Sequence, residues 1–236
     1  MERVIARYPL ATELNGFDYF GWQAQVVQAG ATEIVFDTRG VADLRRFHSI
    51  IQPGPNLIGL PSSVGTDGEV MASSRFRYLA EFARGCTTFK RLRSLLPPAS
   101  WTYTVTLREQ TTKTPERNSN LQAWTTFAAE IGALLIRDFD RERISLYQRM
   151  SIYAGARMNF FVASGPNVLC ALSEYPCVGF GWGWNWGNGF LEKAGIRYQD
   201  NMPWCDVARN QFTVWENDDL DVIREWFAQW RRTCGL

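Results

Sequence analysis

Short apolar runs alternate with amphipathic stretches along this chain. The runs are rich in β-branched and aromatic side chains, as strands are, and cover residues 4–8, 33–36, 101–107, 133–136, 159–163, 177–180 and 212–215. The amphipathic stretches have apolar residues at helical spacing; one ends near residue 28, and the others cover residues 43–51, 75–96, 121–131, 142–157 and 218–232. This alternation predicts an α/β fold with mainly parallel sheets and helices outside them.

Consecutive prolines at positions 97 and 98 divide the pattern into two series. We therefore expect two Rossmann-like halves, an N-terminal α/β domain over residues 1–97 and a C-terminal domain over residues 98–236. The first series is short for a complete Rossmann fold, so the N-terminal half is predicted to be reduced. Within it, residues 61–68 are rich in Gly, Ser, Asp and Pro and predict a loop.

The stretch from residue 158 to residue 182 predicts a strand, a tight loop, a helix of about two turns and a further strand. Gly165 permits the tight turn, Pro166 suits the start of a helix, and Ser164 is a favoured N-cap residue. The free N–H groups of a helix N-terminus attract phosphate. A helix start that binds only water is the alternative.

Four segments carry a family resemblance. The segment R-I-S-L-Y-Q-R-M-S-I-Y-A-G-A-R resembles the helix that GT-B glycosyltransferases place before their late strand-loop-helix. The segment V-A-S-G-P-N-V-L-C-A-L-S-E-Y-P-C-V-G-F resembles the late strand-loop-helix of GT-B glycosyltransferases, and T-V-T-L-R-E-Q-T-T-K-T-P-E-R-N-S-N-L-Q-A-W and Q-F-T-V-W-E-N-D-D-L-D-V-I resemble the donor domain of a poorly characterised bacterial group with that fold. The resemblance covers residues 101–226. It implies a metal-independent glycosyltransferase without a cofactor, which uses a nucleotide sugar as donor and a carbohydrate or glycoconjugate as acceptor.

The diphosphate of such a donor needs cationic and N–H donors. Arg108 follows a predicted strand, where open α/β sheets bind ligands, and its guanidinium can grip a diphosphate bidentately. Arg117 and Lys113 lie in the same loop. The alternative for the arginines is pairing with Glu109, Glu116 or Asp138, and Lys113 is interpreted as exposed to solvent. Together with Arg108 and Arg117, the predicted diphosphate-binding residues are Ser164, Gly165 and Asn167.

The resemblance implies a catalytic base in the first loop of the first domain, where Asp18 lies, although Asp18 is also a favoured helix cap. His48 is interpreted as a core or surface histidine. Asp138-Phe139-Asp140 and Asp219-Leu220-Asp221 match the D-x-D metal signature of another glycosyltransferase class, but carboxylates before a helix also serve as caps. A metal-dependent transferase using Asp138 and Asp140 is therefore an alternative, with no metal site as the expectation.

Tryptophans crowd between residues 182 and 186. Trp182 and Trp184 are predicted to stack on a base or a sugar, and the alternative is that they cover a sheet edge.

Composition and charge bear on the classes of partner and on the cellular location. The formal net charge is +1 and the pI is near 7.6, so no nucleic-acid or membrane partner is indicated. The first residues lack the apolar core of a signal peptide, and the odd number of cysteines, 5, is typical of a reducing compartment, so we expect a cytoplasmic location. A non-catalytic carbohydrate- or protein-binding relative of the same fold remains the alternative to an enzyme.

Overall fold

The computed structural model of the chain describes residues 3–9, 26, 30–39, 54–55, 60–70, 92–110, 115–137, 144, 146–181 and 210–235. These residues form two separate five-stranded sheets, one from each predicted half. The predicted α/β class with mainly parallel sheets is confirmed. The GT-B arrangement of the halves, including a cleft between them, stays a prediction.

The first sheet has the strand order β3-β4-β2-β1-β5. Its strands are β1 (Ile5–Pro9), β2 (Glu33–Asp37), β3 (Gly54–Pro55), β4 (Pro61–Val64) and β5 (Glu69–Val70). β1 pairs in parallel with β2 and β5, and β2 pairs in parallel with β4. The short β3 is antiparallel to β4.

The loop predicted for residues 61–68 is wrong for its first part, because Pro61–Val64 forms β4. Ser62 is buried and lies opposite Ile34 in the ladder. Pro and Ser have low strand propensity, but pairing with the apolar β2 overrides this local preference. Pro61 begins the strand, which is the position where a missing N–H is tolerated.

The second sheet is parallel throughout, in the order β10-β9-β8-β6-β7. Its strands are β6 (Tyr103–Thr106), β7 (Leu134–Ile136), β8 (Met158–Val162), β9 (Cys177–Phe180) and β10 (Gln211–Thr213). The described α-helices of this half are α1 (Leu121–Ile131), α2 (Leu146–Gly155), α3 (Gly165–Ala171) and α4 (Leu220–Thr233). The sequence predicted all five strands to within a few residues, including β10 at the edge.

One side of this sheet, the aromatic face, carries Val105, Phe160, Val162 and Phe180. Helices α1 and α4 cover it with Trp124, Phe127, Trp226 and Phe227, whose rings meet Phe160 at centroid distances of 5.2–6.2 Å. Every residue of β8 is buried, so this strand is covered on both sides.

The opposite side, the polar face, carries Thr104, Thr106, Asn159 and Gln211, all buried. Helix α2 lies on this side, because the Tyr153 ring meets Phe161 at 5.3 Å. Helix α3 lies there too, because Gln211 Nε2 donates to the Cys170 carbonyl at 2.7 Å. Helices of a parallel sheet run antiparallel to its strands, so α2 and α3 both begin at the carboxyl edge.

The boundaries of α1 and α4 agree with the predicted ones to within two residues, whereas α2 (Leu146–Gly155) is shorter than the predicted helix over residues 142–157. Asn120 caps α1, and its side-chain oxygen accepts from the Ala123 N–H at 3.2 Å. Gly132 ends α1 with φ of 65°, which favours glycine. Asp219 is the N-cap residue of α4, as predicted.

Candidate functional site

The strand order of the second sheet reverses between β6 and β8. From β6 the chain moves outward to β7, and then returns to the other side of β6 to form β8, β9 and β10. Loops that leave β6 and β8 in opposite directions open a crevice at their carboxyl ends, and ligands of open α/β sheets bind there. Since Thr106 lies opposite Phe161, Arg108 and the Ser164 loop leave the same edge side by side, as expected.

Arg108 is buried at the start of the loop that follows β6. Its N–H donates to the Ser119 hydroxyl at 2.8 Å, and its carbonyl accepts from the Ser119 N–H at 2.9 Å. Its guanidinium donates to Asn118 Oδ1 at 2.8 Å. The loop is therefore pinned at its base, and Arg108 is held by protein groups as well as being placed at the switch point.

Arg117 bridges the switch point. It lies in a single 3-10 turn, Pro115–Arg117, and its guanidinium donates to the Ala163 carbonyl at 2.9 Å. Ala163 is the residue that follows β8, so the loop after β6 is tied across to the end of the neighbouring strand.

Ser164 precedes α3, and Gly165 is its first residue. Asn167 in the first turn is only 1% exposed, and its side-chain Nδ2 has no hydrogen-bond partner among the residues that the structure describes. An unsatisfied buried amide donor costs about 1–3 kcal/mol of folding free energy. Such a donor is unusual in a native structure and calls for an explanation.

A cavity of about 290 Å³ opens beside this crevice on the side of the aromatic face. It is lined by Glu116, Arg117, Asn118, Val162, Gly181, Asn217, Asp218 and Asp219. Asp218 Oδ2 accepts from the Trp124 indole N–H and from the Asn120 N–H, both at 2.7 Å. The described part of the lining has three carboxylates and one guanidinium, so it suits hydroxyl groups better than phosphates.

A chain of polar side chains runs through the polar face. Thr104 donates to Asn159 Oδ1 at 2.7 Å, and Asn159 Nδ2 donates to the carbonyls of Tyr153 and Pro176 at 3.0 and 2.8 Å. The Tyr153 hydroxyl lies 3.0 Å from the Thr106 hydroxyl and accepts from the Arg149 guanidinium at 3.2 Å. Burial raises the pKa of the Tyr153 phenol, and the positive charge of Arg149 opposes that rise.

Sequence reasoning missed Arg149, Asn159 and this network. Residues 146, 149, 150 and 153 follow the i, i+3, i+4, i+7 spacing of one helix face, so a buried position for Arg149 was available from the sequence. Asn159 was not singled out because it begins an otherwise apolar run, residues 159–163.

Several predicted site residues lie outside the described part of the chain: Asp18, His48, Lys113, Asp138, Asp140, Trp182 and Trp184. Their roles stay predictions. Asp219 and Asp221 are described, and they belong to the start of α4, where Asp221 lies 3.5 Å from Arg224. Carboxylates at this position stabilise the helix dipole.

Among the residues with described positions, no group of three or more His, Cys, Asp or Glu side chains could hold a metal ion. The described helices include none long and apolar enough to cross a membrane. Comparisons with protein-family models, curated proteins and solved structures give no match for this chain.

Proposed function

We propose that this protein is a glycosyltransferase that uses a nucleotide sugar and holds the donor's diphosphate at the carboxyl edge of the second sheet. The strand order is the observation that supports this most, because it reverses between β6 and β8. The two loops at that point carry Arg108, Arg117, Ser164, Gly165 and Asn167. Their N–H and guanidinium groups are the chemistry that a diphosphate requires.

The neighbouring cavity supports a division of the donor between two environments. Phosphate oxygens accept hydrogen bonds from the arginine-bearing loops. Sugar or ribose hydroxyls donate to carboxylates, and Glu116, Asp218 and Asp219 line the adjacent cavity. A nucleotide sugar has both kinds of group, whereas a simple phosphate ester has fewer hydroxyls to place there.

In the proposed reaction, the acceptor oxygen attacks the anomeric carbon of the donor sugar. The bond between that carbon and the diphosphate oxygen breaks, the nucleoside diphosphate leaves, and a base takes the acceptor proton. Negative charge grows on the leaving diphosphate, so Arg117 and Arg108 would stabilise the transition state. Asp18 is the proposed base on the resemblance alone.

Thermal shift with UDP-, GDP-, ADP- and dTDP-sugars tests the donor class. A ligand at about 100 times its dissociation constant adds about 2.7 kcal/mol of stability, which raises the melting temperature measurably. Release of the nucleoside diphosphate then tests turnover. Stabilisation by none of these donors, nor by the free nucleoside diphosphates, would overturn the proposal.

Arg117→Ala and Arg157→Ala form a matched pair for the site. Both remove one arginine, but Arg157 is exposed and directly precedes β8 at the opposite, amino edge. We expect nucleoside-diphosphate binding by calorimetry to weaken roughly ten- to a hundredfold in Arg117→Ala and to stay unchanged in Arg157→Ala. Equal affinities in the two variants would exclude the switch point as the phosphate site.

Turnover in EDTA distinguishes the metal-independent reaction from its alternative. We expect activity to persist in EDTA. Loss of activity in EDTA, recovery with manganese and loss in Asp138→Ala would favour the metal-dependent transferase.

A non-catalytic carbohydrate-binding module is the second candidate. The acidic lining of the cavity favours it, because carboxylates and the Asn217 amide bind sugar hydroxyls without any phosphate. Stabilisation by free sugars, without stabilisation by nucleoside diphosphates, would decide for this candidate.

A further inference from the structure

Arg149 is a buried cation without a described anion. The residue is 5% exposed, and among the described residues the neutral Tyr153 hydroxyl is the one hydrogen-bond acceptor for its guanidinium. No described carboxylate forms an ion pair with it. A buried charge is costly unless it is paired and hydrogen-bonded, so an anion bound beside Arg149 would be stabilising.

The geometry puts Arg149 toward the carboxyl edge, at about the level of Arg108 along the sheet. The contact between Tyr153 and Thr106 fixes the level of α2 on the sheet. Arg149 lies one helical turn before Tyr153, about 5.4 Å toward the carboxyl edge. Arg108 lies two residues beyond Thr106 on the same side of the strand, about 6.6 Å in the same direction.

Asn167 on α3 lies at the same end of the polar face as Arg149 on α2. Helix α3 packs on the polar face, where the Cys170 carbonyl accepts from Gln211 Nε2 at 2.7 Å. Asn167 lies one turn before Cys170, just as Arg149 lies one turn before Tyr153, and both helices begin at the carboxyl edge. The unsatisfied Nδ2 of Asn167 and the guanidinium of Arg149 therefore lie at the same end of the polar face.

We propose that Arg149 and Asn167 form an anion-binding site on the polar face at the β6–β8 switch point, and that this site takes a phosphate group of the ligand. The inference rests on the proposed function only for the identity of the anion as part of a nucleotide sugar. It assigns Arg149 a binding role, and it explains the missing partner of Asn167.

Inorganic pyrophosphate and UDP are the probes, titrated by calorimetry into the full chain. We expect Arg149→Met to weaken pyrophosphate binding roughly ten- to a hundredfold, which is the effect of losing a charge-assisted hydrogen bond. We also expect the ligand-free variant to melt no lower than the wild type, because it loses an unpaired buried charge. Arg157→Met controls for the change in net charge and should bind as the wild type does.

Asn167→Asp is the second variant. Its carboxylate would pair with Arg149 from within the protein, so it should raise the melting temperature of the ligand-free chain and abolish pyrophosphate binding. It does not depend on Arg149→Met remaining folded. An Asn167→Asp variant that binds pyrophosphate as tightly as the wild type would contradict the site.

The outcomes separate this inference from the proposed function. If the wild type binds UDP and Arg149→Met binds it equally well, Arg149 is a structural cation and the anion site is refuted, while the proposed function stands. If pyrophosphate binding depends on Arg149 but no nucleotide sugar binds, the anion site is supported and the proposed function fails. The highest concentration of pyrophosphate and of UDP in these titrations is about 10 mM, roughly ten times a weak millimolar Kd. If the wild type binds neither probe at that concentration, the anion site is refuted.

Discussion

Asn159 is the residue of the second sheet whose removal should be most informative about the polar face. It is fully buried in β8, and its side chain makes three hydrogen bonds, to Thr104, to the Tyr153 carbonyl and to the Pro176 carbonyl. These bonds join β6, the end of α2 and the residue that precedes β9. Asn159→Ala removes all three together and leaves the backbone ladder of β8 in place.

The expected loss of unfolding free energy follows from the three hydrogen-bond partners of the Asn159 side chain. A hydrogen bond contributes about 1 kcal/mol on average, so three bonds correspond to about 3 kcal/mol of unfolding free energy. The Pro176 carbonyl still accepts from the backbone N–H of residue 159 at 3.1 Å, so it is not left without a hydrogen bond when the side-chain amide is removed. The small cavity left by the amide adds to the cost. We therefore expect a loss of about 3–4 kcal/mol, a large part of the 5–15 kcal/mol that is typical of domains.

Equilibrium urea unfolding, followed by far-UV circular dichroism, measures the loss. Thr104→Val is the matched control, because it removes one of the three bonds with little change of shape and should cost about 1 kcal/mol. The double variant should cost less than the sum, by about 1 kcal/mol, since both substitutions remove the same bond. A loss below about 1 kcal/mol for Asn159→Ala, at an unchanged denaturant slope, would refute the assignment of Asn159 as the junction of these three elements.

Three further predictions concern stability. Phe160→Ala should lower the unfolding free energy by about 3–5 kcal/mol in urea, and Phe160→Leu clearly less, because the ring lies inside the aromatic face. Gly155→Ala should lower the urea midpoint despite the better helix propensity of alanine, because its Cβ would lie 1.7 Å from the Ala99 carbonyl oxygen; an increase would contradict this contact. The hydrogen bond from Arg39 lowers the pKa of Asp37 from 3.8 to about 2. The ionised Asp37 carboxylate therefore stabilises the fold above pH 4, and this stabilisation is lost as the pH falls toward 2. The difference in unfolding free energy between wild type and Asp37→Asn should disappear over that interval.

The strands of the second sheet were predictable because they are buried apolar runs bounded by turn residues. β8 is the clearest case: its burial on both sides follows from the absence of apolar–polar alternation in residues 159–163. β4 was not predictable in the same way. Pro61, Ser62 and Ser63 have loop-like propensities, and their strand conformation depends on pairing with β2. Local preference is a weak guide where a partner strand supplies the energy.

The candidate site was predictable in position but not in composition. Arg108 and Ser164 follow two apolar runs, so a parallel sheet brings them to one edge, and this is observed. The sequence did not indicate that Asn118 and Ser119 hold Arg108, because those contacts depend on the path of the loop. Arg149 was overlooked because charged residues on a helix normally face solvent, although its helical spacing with Met150 and Tyr153 places it on the buried face. The roles of Asp18, Trp182 and Trp184 stay predictions.

The two sides of the second sheet differ in what they stabilise. The aromatic face buries large rings, and this burial stabilises the fold without depending on directional bonds. It therefore does little to fix one helix at one position on the sheet. The polar face buries hydroxyl and amide groups that are costly unless each one finds its partner, and such a network permits one position of α2 relative to β6 and β8. Arg149 belongs to that helix, and its partner Tyr153 belongs to that network. The anion-binding role that we propose for Arg149 would require such a fixed position, because the ligand must lie within hydrogen-bond distance of the guanidinium.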